Sequence, residues 1–173
     1  TESMSMIPMG GHNISANKKF FDNDEALVGA AYGMGLTAEC VADAYKIDRQ
    51  AQDAFAYQSH MRAIKAADSG AFKDEILPFD VAMPKPDLKT GSIKHDAITL
   101  SCDEGPRSDT SLEALAKLKP VFKNKGSVTA GNSSQVSDGA GAVLLVNEKT
   151  LKRFNLNPLA RFCGYSVAGV DPK

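Results

Sequence analysis

The densest set of side chains able to do chemistry is the run Gly126-Ser-Val-Thr-Ala-Gly-Asn-Ser-Ser-Gln-Val-Ser-Asp-Gly139. Its glycines allow backbone to approach another group closely, and Thr129, Asn132, Ser133 and Ser134 offer hydrogen bonds there. Asp138-Gly139 supplies a tight turn into the apolar run from Ala140 to Val146, which reads as a buried strand. Two readings stay open on these residues alone: a binding loop on a rigid scaffold, or an ordinary polar connection. Arg107 is a second candidate. It lies near the expected start of a helix, where its guanidinium and nearby backbone N–H groups could face an anion such as a phosphate, although for this position taken alone a solvated arginine is the commoner case.

Other candidates fall away. Cys40, Cys102 and Cys163 are far apart and form no CxxC pair, which argues against a disulfide framework and a structural zinc site; each reads as a small buried hydrophobe. His12, His60 and His95 lack partners at ligand or catalytic spacing and read as solvated. No metal site is expected. Gly33-Met-Gly35-Leu-Thr-Ala38 matches the dinucleotide fingerprint, but the next segment is helical where that fold needs a second strand, so the Rossmann reading fails. Gly164-Tyr-Ser166-Val-Ala-Gly169 has its second glycine one place too far for a nucleophile elbow, and no histidine–acid pair follows.

The elements that would position these groups are legible in part. Ala38, Val41, Ala42 and Tyr45 make one apolar helical face, with Glu39 placed in the first turn at the positive end of the dipole. Asp48 caps a helix that Gly70 closes, with Ala54, Tyr57, Met61 and Ile64 on one side. Glu75 to Val81 alternates as a short strand that Pro78 confines to an edge, and Met83 to Leu100 reads as an extended excursion or loose hairpin. Thr110 and Glu113 form a capping box for a helix that Pro120 stops. Glu148 to Phe154 is a short helix ending at Asn155 and Pro158, and Leu159 to Val167 is a final strand-like run.

The 173 residues, 43% apolar, suffice for a core, and Lys+Arg 20 against Asp+Glu 21 gives no basic surface for nucleic acid or anionic membrane. No apolar run reaches bilayer length and the N-terminal residues lack a signal pattern, so a soluble, intracellular protein is expected, cytoplasmic or in an organellar matrix if eukaryotic. The start at Thr1 and the stop at Lys173 read as the edges of a piece of a longer chain.

Several of these segments, taken in order, resemble the thiolase family of acyl-CoA C-acyltransferases. They are Glu2-Ser-Met-Ser5, Met34-Gly-Leu-Thr-Ala-Glu39, Arg49-Gln-Ala-Gln-Asp-Ala-Phe55, Phe72-Lys-Asp-Glu-Ile76, Leu115-Ala-Lys-Leu-Lys-Pro120, Val128-Thr-Ala-Gly-Asn-Ser-Ser134, Asp138-Gly-Ala140 and Val167-Ala-Gly-Val-Asp-Pro172. Asp103-Glu-Gly-Pro-Arg107 and residues 131–139 look most like the degradative 3-ketoacyl-CoA branch.

The resemblance implies an α/β thiolase fold fragment. Residues 1–125 would be a mostly helical inserted loop domain with short strands that covers coenzyme A. Residues 126–157 would end the N-terminal thiolase half and 158–173 begin the C-terminal half, giving two core-type strands at the C-terminal end. In the family a cysteine takes the acyl group as a thioester, a histidine lowers that thiol's pKa and a second cysteine moves the α-proton. Those motifs would lie before Thr1 and after Lys173, so no catalytic residue is expected here and the chain alone is expected to be inactive.

Carried over residue by residue, Arg107 would reach the adenine and phosphate end of coenzyme A. Ala130, Gly131 and Ser134 would line the pantetheine, and Phe122 and Met34 would form apolar contacts around the pantetheine or acyl end. Gly33 stands where some biosynthetic members carry a histidine, and Ala114 where some carry a serine; both departures favour longer acyl chains. The expected partners are acyl-CoA and coenzyme A, as substrates rather than a resident cofactor, and other copies in a dimer or tetramer. The alternatives are a non-catalytic coenzyme-binding or oligomerisation module, or a thiolase-like lipid carrier that has lost its catalytic residues.

Overall fold

Asp48 starts the longest element. Its carboxylate accepts from the Ala51 N–H at 2.8 Å, satisfying one of the donors that a helix leaves open at its first turn. In this computed structural model, which describes residues 1–7, 11–20 and 32–170, the helix runs from Arg49 to Asp68 (α2). Gly70, at φ +74°, turns the chain away from it as expected. Preceding it, α1 spans Met34–Tyr45.

The chain divides into two units, one of residues 34–134 and one of residues 1–33 with 135–173. Within residues 34–134, Phe79–Pro86 (β1) and Ile93–Leu100 (β2) form an antiparallel hairpin that pairs Phe79 with Leu100 and Pro86 with Ile93. Of the two readings of Met83 to Leu100, the hairpin is the one formed: these residues complete β1 and supply β2. Pro84 and Pro86 are tolerated because each strand of a two-stranded sheet keeps one unpaired edge. A short helix, Leu112–Ala116 (α3), packs on α2. Its cap is Ser111, whose hydroxyl accepts from the Ala114 N–H at 3.1 Å, one residue later than the Thr110 box. It ends at Lys117, before Pro120 is reached.

Successive residues of an α-helix are turned by about 100°, so Arg49, Gln52, Asp53 and His60 lie on one stripe of α2, beside the half-buried stripe Ala54, Tyr57, Met61 and Ile64. The first stripe is polar and still points inward, because each of its four side chains reaches a distant segment. Among the described residues the buried set is Ala42, Leu115 and Val128 with Glu39, Asp53 and Thr129, so the interior is as polar as it is apolar.

In the other unit, Glu2 and Gly139 exchange two backbone hydrogen bonds (2.6 and 2.9 Å), and Asp138 accepts from the Ser5 N–H at 2.9 Å and its hydroxyl at 2.6 Å. Asp138-Gly139 therefore ties down the N-terminal segment where a simple turn was expected. Glu148–Phe154 (α4) is capped by Asn147, accepting from the Thr150 N–H at 2.8 Å, and closed by Asn155 in the left-handed region at φ 48°. The two core-type strands expected at 140–146 and 159–167 are not formed. A strand needs a neighbour for its N–H and C=O groups, and neither run has one among the described residues. Val143, Leu144 and Leu145 are each at least 80% exposed.

Candidate functional site

Six candidate coenzyme-contacting residues, Met34, Arg107, Phe122, Ala130, Gly131 and Ser134, all belong to the unit of residues 34–134. The segment carrying three of them is held from two sides. From α1, the Glu39 carboxylate, 2% exposed, accepts from the Ser127 N–H (2.9 and 3.0 Å), the Ser127 hydroxyl (3.1 Å) and the Val128 N–H (2.8 Å). Burial pushes this carboxyl up. Those donors, with the nearby Lys123 charge, outweigh it and hold the group below its ordinary value. Glu39 is on the second turn of α1, not the first, and its role is this distant clamp rather than an interaction with the helix dipole.

From α2, Asp53 accepts from Asn132 Nδ2 at 3.0 Å and pairs with Arg49 Nε at 2.7 Å. Arg49 Nη2 donates onward to the carbonyls of Leu115 (2.5 Å) and Leu118 (3.1 Å), fastening the end of α3 to the same stripe. Gln52 Nε2 donates to the Ser127 hydroxyl at 2.9 Å.

Most polar atoms that made residues 126–134 attractive as a binding loop are spent inside it. The Thr129 N–H donates to Asn132 Oδ1 (2.7 Å), the Gly131 N–H to the Thr129 hydroxyl (3.2 Å), and the Ser133 hydroxyl to the Thr129 carbonyl (2.6 Å). Asn132 Nδ2 also reaches the Ser127 carbonyl at 3.2 Å. Thr129, Asn132 and Ser133 therefore shape the turn, and Ala130 and Ser134 are exposed on it. The glycines serve the protein itself. A Cβ on Gly131 would lie 2.5 Å from Leu115 Cδ2 and from Leu118 Cδ1, and one on Gly35 would overlap the Phe122 ring.

Phe122 thus lies across the first turn of α1, at whose N-terminus Met34 is 69% exposed; Phe122 itself keeps 45% of its surface open. The Phe122 ring lies against Gly35, the residue after Met34. Arg107 stands apart, in the loop before α3 and tied to α2. Its backbone N–H donates to His60 Nδ1 at 3.1 Å, so His60 is half-buried and bonded where a solvated side chain was expected. Asp53 and His60 are seven residues apart, so the loop and Arg107 are moored to one stripe of α2 about 10 Å apart along its axis. The Arg107 guanidinium is forked onto Asp109 through Nε (3.1 Å) and Nη2 (2.8 Å), and that hydrogen-bonded, opposite charge raises its pKa and lowers that of Asp109.

A recess of about 400 Å³ lies between Ala38, Val41, Ile47, Val128 and Asn132, and none of the six candidates lines it. The cysteines do not match the expectation of buried hydrophobes: Cys102 and Cys163 are exposed and Cys40 is half-buried. No group of His, Cys, Asp and Glu able to hold a metal occurs among the described residues, and none of their helices is long and apolar enough to cross a membrane.

The model of the thiolase N-terminal domain matches residues 1–149. An acetyl-CoA acetyltransferase of Pseudomonas aeruginosa is 47% identical over 141 residues, covering 82% of this chain and 34% of that protein. The peroxisomal 3-ketoacyl-CoA thiolase 1 of Arabidopsis thaliana is 45% identical over 172 residues, covering 99% of this chain and 37% of that one. The crystal structure of human mitochondrial 3-ketoacyl-CoA thiolase in complex with CoA superposes with a TM-score of 0.60 at 42% identity, over 75% of this chain and 29% of that one. The chain therefore spans well under half the length of these relatives.

Proposed function

Because the chain belongs to the thiolase family, we propose that it forms the coenzyme A-binding part of an acyltransferase that moves an acyl group between coenzyme A and acetyl-CoA. The direction is 3-ketoacyl-CoA thiolysis or the reverse condensation. Residues 1–125 act as the inserted loop domain in this reading. The residues that make and break the thioester lie outside this chain, so the chain's own contribution is to bind and orient the coenzyme.

The observation that carries this reading is the clamped turn of residues 127–134. Two buried carboxylates, Glu39 and Asp53, spend their hydrogen bonds on fixing it. The turn belongs to a chain 42% identical to a thiolase solved with CoA. Ala130 and Ser134 present the turn's exposed surface to the pantetheine arm, and Gly131, packed against Leu115 and Leu118 on one side, lines it with backbone. Met34 and Phe122 supply an apolar wall towards the acyl end. Arg107, moored two turns further along α2, meets the phosphates. Asp109 fixes the orientation of the guanidinium through Nε and Nη2, and the fork leaves the Nη1 N–H groups for an anion.

Catalysis of the whole reaction requires coenzyme held against a nucleophile, and a rigid turn serves that by removing conformational freedom before binding. The relatives' names include both bacterial and peroxisomal proteins, and a cytoplasmic or organellar-matrix location suits the reading. The experiment is calorimetric titration of coenzyme A into the chain and into Arg107→Ala. The variant is expected to bind at least about tenfold more weakly, as loss of a charged hydrogen-bonding partner implies. Equal tight binding by both would remove Arg107 from the site.

The exposed run Val143 to Leu145 favours a second reading, an oligomerisation module without chemistry. Absence of any coenzyme A binding together with concentration-dependent self-association would select it.

A further inference from the structure

We infer that Glu39 is a positioning residue for the coenzyme-facing turn: it sets the path of the backbone at Ser127 and Val128 and, with Gly35 one helical turn earlier, holds the turn in register with the Phe122–Met34 wall. The inference rests on the function proposed above.

The argument starts from the cost of the group. A carboxylate 2% exposed loses most of its hydration, and no ion pair to Glu39 occurs among the described residues, since the neighbouring Lys123 pairs with Asp43. An apolar side chain would fill the same space without that cost. What the carboxylate adds is direction. In a regular strand successive N–H groups point to opposite sides. Here the consecutive N–H groups of Ser127 and Val128 converge on one oxygen, Oε1, at 2.9 and 2.8 Å. The backbone must bend there, and the bend comes immediately before Thr129, which bridges to Pro120 and accepts the bonds that close the turn at Gly131 and Ser133.

Gly35 and Glu39 are four residues apart on α1, on one face and about 6 Å apart along the axis. The first receives the Phe122 ring and the second the Ser127–Val128 backbone. A single helix face therefore sets the spacing between the apolar wall and the turn. Glu39 spends its hydrogen bonds on Ser127 and the Val128 N–H, so it acts on the candidates through the backbone.

The test is hydrogen exchange of backbone amides in the 173-residue chain, wild type against Glu39→Gln, with coenzyme A affinity measured on the same samples. The amide keeps the volume but loses the charge that strengthens the bonds to Ser127 and Val128, and its NH2 replaces Oε2 opposite the Ser127 N–H and hydroxyl. The amides of Val128 and Gly131 are expected to exchange at least about tenfold faster, those of Ala54 to Ile64 in α2 to stay unchanged, and coenzyme A to bind at least about tenfold more weakly. Ser127→Ala, which removes only the hydroxyl contacts, is expected to shift the same amides less and keeps the test readable if Glu39→Gln fails to fold. Unchanged turn amides overturn the inference, as does loss of protection in α2 and the turn together, which makes Glu39 a general fold element. A loosened turn with undiminished coenzyme affinity also overturns it. Absence of coenzyme binding by wild type refutes the proposed function instead, and the exchange data then judge the backbone role by themselves.

Discussion

A methyl group placed on Gly126 probes the Glu39 clamp without touching the carboxylate. Gly126 does not sit in the left-handed region, so alanine there carries no backbone strain and its effect is one of contact. The added Cβ would overlap Glu39 Oε1 and lie 2.8 Å from its Cδ and 3.0 Å from the Lys123 carbonyl oxygen. The Lys123 carbonyl is backbone and accepts from the Gly126 N–H in a tight turn, so the carboxylate is the group free to retreat.

Restoring ordinary van der Waals separation requires a withdrawal of about 1 Å. That takes the 2.8 and 2.9 Å bonds to Val128 and Ser127 beyond hydrogen-bonding range. Each bond involves a charged acceptor and contributes about 1.5–3 kcal/mol. After partial relaxation, Gly126→Ala is expected to cost about 3 kcal/mol in urea unfolding. The decisive measurement is the double-mutant cycle with Glu39→Ala. Once the carboxylate is gone the methyl has room, so its cost should fall below about 1 kcal/mol, a coupling of about 2 kcal/mol. Additive costs, with coupling under about 0.5 kcal/mol, would show that Gly126 is needed for some reason other than Glu39 and would refute the argument.

Three further outcomes follow from the same geometry. Asp53→Asn leaves Arg49 facing an amide and should destabilise the chain by about 2–3 kcal/mol, less than a fully buried pair because the Arg49 side chain is 24% exposed; a urea midpoint within error of wild type would contradict it. Glu39 has a folded-state pKa below its ordinary value of 4.5, so the unfolded chain binds its proton more tightly. Its stabilisation is then fully present above the ordinary carboxylate range and is lost as pH falls through the depressed value. Other carboxylates act in the same direction, so the difference between wild type and Glu39→Gln, followed by urea unfolding between about pH 6 and 3, isolates this one; a difference that does not shrink on acidification would count against it. Finally, Val143, Leu144, Leu145, Leu159 and Phe162 expose at least 75% of their surface each, and the chain is expected to self-associate with rising concentration. A monomer throughout a light-scattering series would contradict this.

What could be foreseen from the residues divides along sequence distance. The caps of α2 and α4 depend on partners three residues away, Asp48 with Ala51 and Asn147 with Thr150, so local chemistry was enough to place both helices. The start of α3 slipped from Thr110 to Ser111 because adjacent hydroxyl residues compete for one cap and only geometry chooses between them. The clamp lay beyond reach. Glu39 meets Ser127 and Val128 across 88 and 89 positions, and Asp53 meets Asn132 across 79. A helical glutamate and aspartate with no periodic apolar meaning look like solvated charges until the fold brings backbone N–H groups to them.

The glycine-rich run misleads for a related reason. Closeness of approach was legible, but what approaches was not: Gly35, Gly126 and Gly131 make room for Phe122, Glu39 and the Leu115–Leu118 pair of this same chain. Strand formation at 140–146 and 159–167 fails on the same principle. Apolar composition marks a segment fit for a sheet, but a ladder exists only where a second strand supplies the other half of its hydrogen bonds. Each misreading replaces a local property with a relation between distant segments, and the site proposed here consists of such relations. Its turn is specified by Glu39 and Asp53 more than by its own hydroxyls. Substitutions at those two carboxylates should therefore disturb coenzyme binding more than removal of the Ser133 hydroxyl, which donates one hydrogen bond, to the Thr129 carbonyl, among the described residues.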